Sequence, residues 1–251
     1  MRWSKGEVIG EAAESNYIAP YMWISKIEGV EIKLAVGFYR ELPNEEEILR
    51  DEEGDRRSEL AGWTIVCNNR VILYCDKTKA TGWGQAGVPN YHTQFIAISG
   101  IVIFSSTDPQ KLPLNTTKRG IDQSHELYID VKKYMTEGIR HFIDYTNKWK
   151  GRESDQKAHA VDTDTISISD FGNMVSKVPQ KSWSTTTRIV GQSFKPPLPY
   201  PEEKNPYRQI RFSRPVKEIE TVGRFLFQDE PWRPGEVGET CFDLILKEAK
   251  K

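Results

Sequence analysis

Thr93-Gln-Phe-Ile-Ala-Ile-Ser-Gly-Ile-Val-Ile-Phe104 is apolar at odd and even positions alike. A strand with one wet face alternates polar and apolar residues, whereas a strand without alternation is covered on both sides. The stretch therefore reads as the central strand of a sheet, and the rest of the chain must supply its covers. Downstream, Tyr128, Val131, Met135, Ile139, Phe142, Tyr145 and Trp149 recur every three or four residues. They form one apolar stripe along a helix of about seven turns. Ser124 is placed to cap it, and Glu126 sits in its first turn, where a carboxylate meets the positive end of the helix dipole. Lys148, Lys150 and Gly151 mark its end.

Upstream, Val30, Ile32, Leu34, Val36 and Phe38 share one face of a period-two strand within Gly29–Tyr39. Gly62-Trp-Thr-Ile-Val-Cys-Asn-Asn-Arg-Val-Ile-Leu-Tyr-Cys75 reads as a β-hairpin, because Asn68 and Asn69 tolerate the positive φ angles of a two-residue turn. Tyr17–Ile24 suits a further short strand or a docking segment. The acid-rich run from Glu41 to Glu59 reads as a solvated loop. Asp76–His92 is a long loop, and loops of this length inside a domain hold function or meet a partner. Within it, Gly82-Trp-Gly-Gln-Ala-Gly87 has the spacing of a dinucleotide fingerprint. That fingerprint requires a helix opening inside the motif, but Val88-Pro89 and a strand follow, so we read a glycine-rich loop.

The 251 residues carry a net charge of −1, so the chain as a whole is no polyanion magnet. No apolar run approaches the roughly 20 residues of a membrane helix. Met1-Arg-Trp-Ser-Lys-Gly-Glu7 lacks the apolar core of a signal peptide, which implies a cytoplasmic protein. Cys67, Cys75 and Cys241 are odd in number and widely spaced, as reduced thiols are. His92, His125, His141 and His159 lie at no zinc spacing, and no metal ligand is assigned. His141 reads as a hydrogen-bonded surface residue of the long helix. Glu45-Glu-Glu47 and the pair Asp162 and Asp164 lack the apolar surroundings that raise a carboxylate pKa.

Residues 151–212 are rich in Ser, Thr, Asp and Pro and read as an irregular linker, with Pro196-Pro-Leu-Pro-Tyr-Pro201 as a semi-rigid spacer. Order resumes at Ser213-Arg-Pro215, where Ser213 can cap a helix carrying Val216, Ile219, Val222, Phe225 and Leu226 on one face. A second helix carries Val237, Cys241, Leu244 and Ile245. This helical pair, 213–251, is too small to be stable alone.

Two stretches offer chemistry. Leu112-Pro-Leu-Asn-Thr-Thr-Lys-Arg-Gly-Ile-Asp122 joins the central strand to the long helix. Its Thr116-Thr-Lys-Arg119 brings hydroxyls, backbone amides and two cations together near a helix start, which suits phosphate oxygens. A basic loop lying on the acidic 41–59 run accounts for the composition equally well. From Lys177 to Lys217, cations including Lys181, Arg188, Lys195, Lys204, Arg208, Arg211 and Arg214 alternate with Trp183, Phe194, Tyr200 and Tyr207. That texture suits nucleic acid, although an ordinary lysine-rich linker is the plainer reading.

Gly62-Trp-Thr-Ile-Val-Cys-Asn-Asn-Arg-Val71, Thr81-Gly-Trp-Gly84, Pro113-Leu-Asn-Thr-Thr-Lys-Arg-Gly120 and the long helix resemble the second, "transducer" domain of the GHKL ATPases. That superfamily contains gyrase, the heat-shock chaperone, histidine kinases and MutL. The resemblance is to bacterial gyrase- and chaperone-like ATPases and, more distantly, to MORC-type proteins. It spans residues 29–150, with a weaker likeness at Gly235–Phe242.

The resemblance implies an α+β fold, a two-layer sandwich of mixed sheet and long helix at 29–150. Residues 1–28 precede it, the linker 151–212 follows, and the helical pair closes the chain. It implies that Lys118 reaches the γ-phosphate of ATP as the catalytic cation. Asn115, Thr116, Thr117 and Arg119 would be the cofactor-binding loop around it. The superfamily's catalytic Glu, metal-binding Asn, Asp-x-Gly-x-Gly segment and glycine-rich lid are not found before residue 29. Mg-ATP and hydrolysis are therefore expected only with a GHKL ATP-binding domain as partner, in cis or in trans. DNA and a second copy of the chain are further candidate partners.

Overall fold

The computed structural model describes residues 1–4, 18–52, 60–152, 163–165, 167, 170–186, 189–201, 213–228 and 231–250. Tyr17, His159, Asp162, Arg188, Lys204, Tyr207, Arg208, Arg211 and the acids of 53–59 lie outside them. The chain forms two units, Met1–Glu202 and Glu203–Lys251.

The first unit is built on a mixed seven-stranded sheet. Its strands are β2 (Tyr21–Ile27), β3 (Val30–Phe38), β4 (Gly62–Cys67), β5 (Arg70–Asp76), β6 (Ile98–Ser105), β8 (Ser184–Thr186) and β9 (Gly191–Phe194), in the spatial order β5-β4-β6-β3-β2-β9-β8. β4 and β6 are parallel, and the other pairings are antiparallel. β1 (Arg2–Ser4) and β7 (Thr163–Thr165) form a separate two-stranded ribbon. β6 lies inside the sheet, as its unbroken apolar run requires, and Asn68 and Asn69 turn the β4–β5 hairpin with φ values of 44° and 63°.

The period-two pattern sorts the sheet into two faces. Tyr21, Trp23, Ile32, Leu34, Val36, Trp63, Ile65, Val102 and Phe104 share one core with α2 (Glu126–Trp149). The helix lies close to this face because Gly138 has no side chain. A Cβ there would come within 2.6 Å of Val36 Cγ1 and 2.7 Å of Tyr21 Cδ1. Four residues earlier, Tyr134 stacks on Trp23 with ring centroids 4.2 Å apart. Gly100 of β6 serves the same purpose within the sheet, where a Cβ would meet the Trp63 ring at 2.4 Å. The opposite face, with Met22, Ala35, Ile101 and Phe194, is covered by Met1, by Phe171 and Met174 of α3 (Phe171–Ser176), and by Val178.

The α+β architecture agrees with the sequence, but several local expectations do not. The flanks of the expected 29–150 domain belong to the same unit. β8 and β9 extend the sheet from inside the expected linker, because Phe194 has a buried place beside Met22. The Pro-rich run is strapped to α2. His141 Nε2 donates to Pro196 O at 2.8 Å and Trp149 Nε1 to Pro199 O at 2.9 Å. His141 is accordingly buried rather than on the surface. The acid-rich run contains a helix, α1 (Glu45–Glu52), whose N-terminal amide at Glu47 is taken by Asn44 Oδ1. Thr93–Phe95 forms a 3₁₀ turn ahead of β6. His125, not Ser124, caps α2, with Nδ1 accepting from Leu127 N, because Asp122 engages both the hydroxyl and the amide of Ser124.

The second unit contains α4 (Val216–Phe227) and α5 (Pro234–Ala249). Pro215 rather than Ser213 immediately precedes α4, with no side-chain cap. Trp232 packs on Gly223 of α4, Val237 is buried, and Glu236 returns to accept from Arg233 N at 2.8 Å, holding the start of α5.

Candidate functional site

The chain leaves β6 through a braced entry. Asn68, at the hairpin turn, accepts from Ser106 N at 2.9 Å and donates to Ser106 O at 2.8 Å. Asp108 caps a 3₁₀ turn over Pro109–Lys111, and Lys111 Nζ donates to Glu28 O at 3.0 Å. Leu112 and Pro113 are buried. From this footing Leu114 pairs with Ile121 across an antiparallel bridge, and Asn115 N donates to Gly120 O.

The tip of the loop is organised by one side chain. Asn115 Oδ1 accepts from Thr117 Oγ1 at 2.9 Å, Arg119 N at 3.1 Å and Gly120 N at 3.3 Å. Lys118 N closes on Asn115 O, which puts Lys118 in the left-handed region at φ 55°. Asn115 and Thr117 thus spend their polar atoms inside the loop. Thr116, Lys118 and Arg119 are exposed. Among the described residues neither Lys118 nor Arg119 makes an ion pair; of the acidic 41–59 run, Glu41 pairs with Arg2, Glu46 with Arg50 and Glu47 with Arg40, and Glu53, Asp55 and Glu59 lie outside the described residues. The amides of Thr116 and Thr117 likewise take no acceptor among the described residues. Two cations and two free N–H groups at a fixed turn can receive an anion.

Behind the loop, Asp122 links it to α2. Hydrogen bonds from the hydroxyl and then the amide of Ser124 hold its carboxyl below the usual carboxylate range. The long loop 76–95 then runs beside α2 and is stitched to it. Tyr128 Oη donates to Ala80 O at 2.9 Å, Lys132 Nζ to Lys79 O at 2.6 Å, Arg140 to Ala86 O, and Gln94 Nε2 to Asn147 Oδ1 at 3.5 Å. Asp76 anchors the start of this loop by accepting from Thr78 and Thr81 hydroxyls. Burial pushes the Tyr128 hydroxyl pKa up, with the Asp76 charge adding to it, and burial lowers that of Lys132. The glycine-rich motif opens no helix; Trp83 is buried within it against Tyr91 and Phe95.

Residue types show part of this arrangement and not the rest. Asn115, expected in the loop around the phosphate, shapes that loop through its carboxamide. The stitching of α2 to loop 76–95 was not foreseen, although Tyr128, Lys132 and Arg140 recur at multiples of four along one side of the helix. In the 177–217 stretch, Phe194 is buried, Trp183 packs on it, and Tyr200 lies against Tyr145 and under Lys148 Nζ at 4.1 Å. Of these rings Phe194 is buried, Trp183 is half-buried and Tyr200 is exposed.

Among the described residues no three His, Cys, Asp or Glu side chains are grouped to hold a metal ion, the three thiols are unpaired, and no helix is long and apolar enough to cross a membrane. No protein-family model matches the chain, and no curated protein matches it.

Proposed function

We propose that this chain is the transducer half of a cytoplasmic GHKL-type ATPase, with Lys118 as the cation that meets the γ-phosphate of bound ATP. The observation that carries the reading is Lys118, exposed and without an ion pair among the described residues, at the tip of a turn locked by Asn115. Arg119 stands beside it as a second cation, and the amides of Thr116 and Thr117 add neutral donors. Mg-ATP is held by a separate GHKL ATP-binding domain. The loop supplies charge where the transferring phosphoryl group develops it, and fixed donors act there without reorganising. The contribution of the loop is electrostatic and positional.

The connection to α2 gives the contact a consequence. Lys118 gains its partner only while the γ-phosphate is present, so the docked arrangement is favoured with ATP and released with ADP. Any shift of the loop is passed to a 24-residue helix that is stitched to loop 76–95 and strapped by His141 and Trp149 to Pro196–Pro199.

The reading is tested by measuring binding of this chain to the ATP-binding domain with a non-hydrolysable ATP analogue and with ADP. Tighter binding with the analogue, lost in Lys118→Gly, is expected. Equal affinity with both nucleotides would contradict it.

A further inference from the structure

The C-terminal half of α2 carries a ladder of rings. His141, Tyr145 and Trp149 recur every four residues and so share one side of the helix. His141 is 8% and Trp149 1% exposed, and the ring nitrogen of each is spent on a carbonyl of the same proline-rich run. His141 Nε2 donates to Pro196 O at 2.8 Å, and Trp149 Nε1 to Pro199 O at 2.9 Å. Between these two contacts Leu198 is buried. Beyond them Tyr200 lies against Tyr145, with ring centroids 6.2 Å apart, and Lys148 Nζ stands 4.1 Å from the centre of its ring.

The chemistry of the two sides matches. Proline has no N–H, and the one amide within Pro196–Pro199, that of Leu198, donates back to Pro196 O at 3.0 Å. The run therefore needs donors and apolar cover, and it offers no donor in return. An imidazole N–H, an indole N–H and the faces of the rings supply both, which is how aromatic surfaces read extended proline segments. The two carbonyls taken are three residues apart, the repeat of a polyproline helix. Proline fixes φ, so such a segment loses little freedom when it docks. The run can also leave without breaking the sheet: among the described residues no backbone–backbone hydrogen bond joins residues 196–201 to another element.

We propose that the ladder of His141, Tyr145 and Trp149 is a recognition surface for proline-rich segments, held in cis by the chain's own Pro196–Pro201 until the proline-rich segment of a partner displaces it. The partner's segment has prolines on both sides of one apolar residue, because the proline carbonyls and Leu198 make the contacts seen here. Displacement frees the chain between Phe194, the end of β9, and Glu203, where the second unit begins. The inference is independent of the role given to Lys118.

The test uses the full chain carrying Leu198→Asp, which sets a charge in the buried place of Leu198 and undocks the strap. The probe is a synthetic peptide of residues 195–202, Lys-Pro-Pro-Leu-Pro-Tyr-Pro-Glu. Binding is read from the indole N–H resonance of Trp149, identified by its loss in Trp149→Phe. A short tether supplies an effective concentration on the order of 1 mM, so a strap that stays docked in cis implies a Kd below about 1 mM in trans. The wild type must first release its own strap and should bind the peptide at least about tenfold more weakly. A peptide with its four prolines replaced by alanine gains N–H groups and flexibility, and should also bind at least about tenfold more weakly. No binding to the Leu198→Asp chain overturns the inference. So does equal binding of the alanine peptide, which would make the ladder a cover for any apolar segment, or equal affinity of the wild type and the variant. If Leu198→Asp fails to fold, the full chain with Pro196→Gly, Pro197→Gly and Pro199→Gly, which loosens the strap and keeps Leu198, takes its place with the same expectations.

Discussion

The backbone N–H of Lys118 donates to the carbonyl oxygen of Asn115 at 2.8 Å, and the turn this closes holds Lys118 at φ 55°. A residue with a Cβ is disfavoured there by roughly 1 kcal/mol, and glycine is the usual occupant. Gly120 stands two positions away, yet the left-handed position is given to a lysine. The side chain is kept against a local conformational cost.

Replacing Lys118 by glycine should therefore remove the cation without harming the fold. Glycine relieves the left-handed strain but adds freedom to the unfolded chain, and the two effects nearly cancel. We expect a change in stability within about 1 kcal/mol in urea unfolding. A loss of several kcal/mol would show that Lys118 holds the structure together.

Asn115→Ala should act differently. It removes the acceptor for Arg119 N, Gly120 N and Thr117 Oγ1. A hydrogen bond of this kind is worth about 1 kcal/mol net, so the amides of Arg119 and Gly120 should exchange with deuterium about fivefold faster. Amides in the middle of α2 should keep their rates. Unchanged exchange at Arg119 and Gly120 would mean the carboxamide does not hold the turn.

The same substitution should have opposite signs in two helices. Gly138→Ala gains about 1 kcal/mol of helix propensity but forces a methyl to within 2.6 Å of Val36. Overpacking of this kind costs about 1–3 kcal/mol, so a net loss of stability is expected. Gly235→Ala meets nothing within 4 Å and should raise the stability of its unit by up to about 1 kcal/mol. Thermal unfolding of the two variants checks both signs.

How far the sequence led is clearest in the sheet. Alternation at Val30–Phe38, the Asn68-Asn69 turn and the unbroken run at Ile98–Phe104 each report a burial pattern that only one strand arrangement satisfies. β8 and β9 were not legible. They are three and four residues long, carry Ser, Thr and Gln, and join the sheet by backbone pairing that side-chain periodicity does not record. His141 shows the same limit. A lone histidine on a helix reads as exposed until Pro196, 55 residues later, returns to cover it. In the site, the residue types suggested an anion. Only the geometry separates the side chains that build the turn from those that face outward.

That buried histidine makes stability pH-dependent. Burial is the main cause that lowers the His141 pKa; the Lys195 charge adds to it, while the Pro196 hydrogen bond and Asp144 oppose it. The unfolded chain takes up a proton near the ordinary value of 6.5 and the folded chain only at lower pH. Stability from the neutral imidazole is thus present above pH 6.5 and falls as the pH drops below it, levelling off at the folded pKa. His141→Phe should lower the unfolding midpoint at neutral pH and remove this part of the acid-side slope. An unaltered slope would assign it to other groups.

The proposed role of Lys118 is tested most directly by the rate of ATP hydrolysis when this chain is joined to a GHKL ATP-binding domain. Removing one fixed donor from a developing charge typically costs about a hundredfold or more in kcat. Lys118→Gly should show a loss of that size, with KM for ATP changed only a few-fold and the unfolding midpoint close to wild type. A Lys118→Gly enzyme that turns over ATP at the wild-type rate would contradict the account.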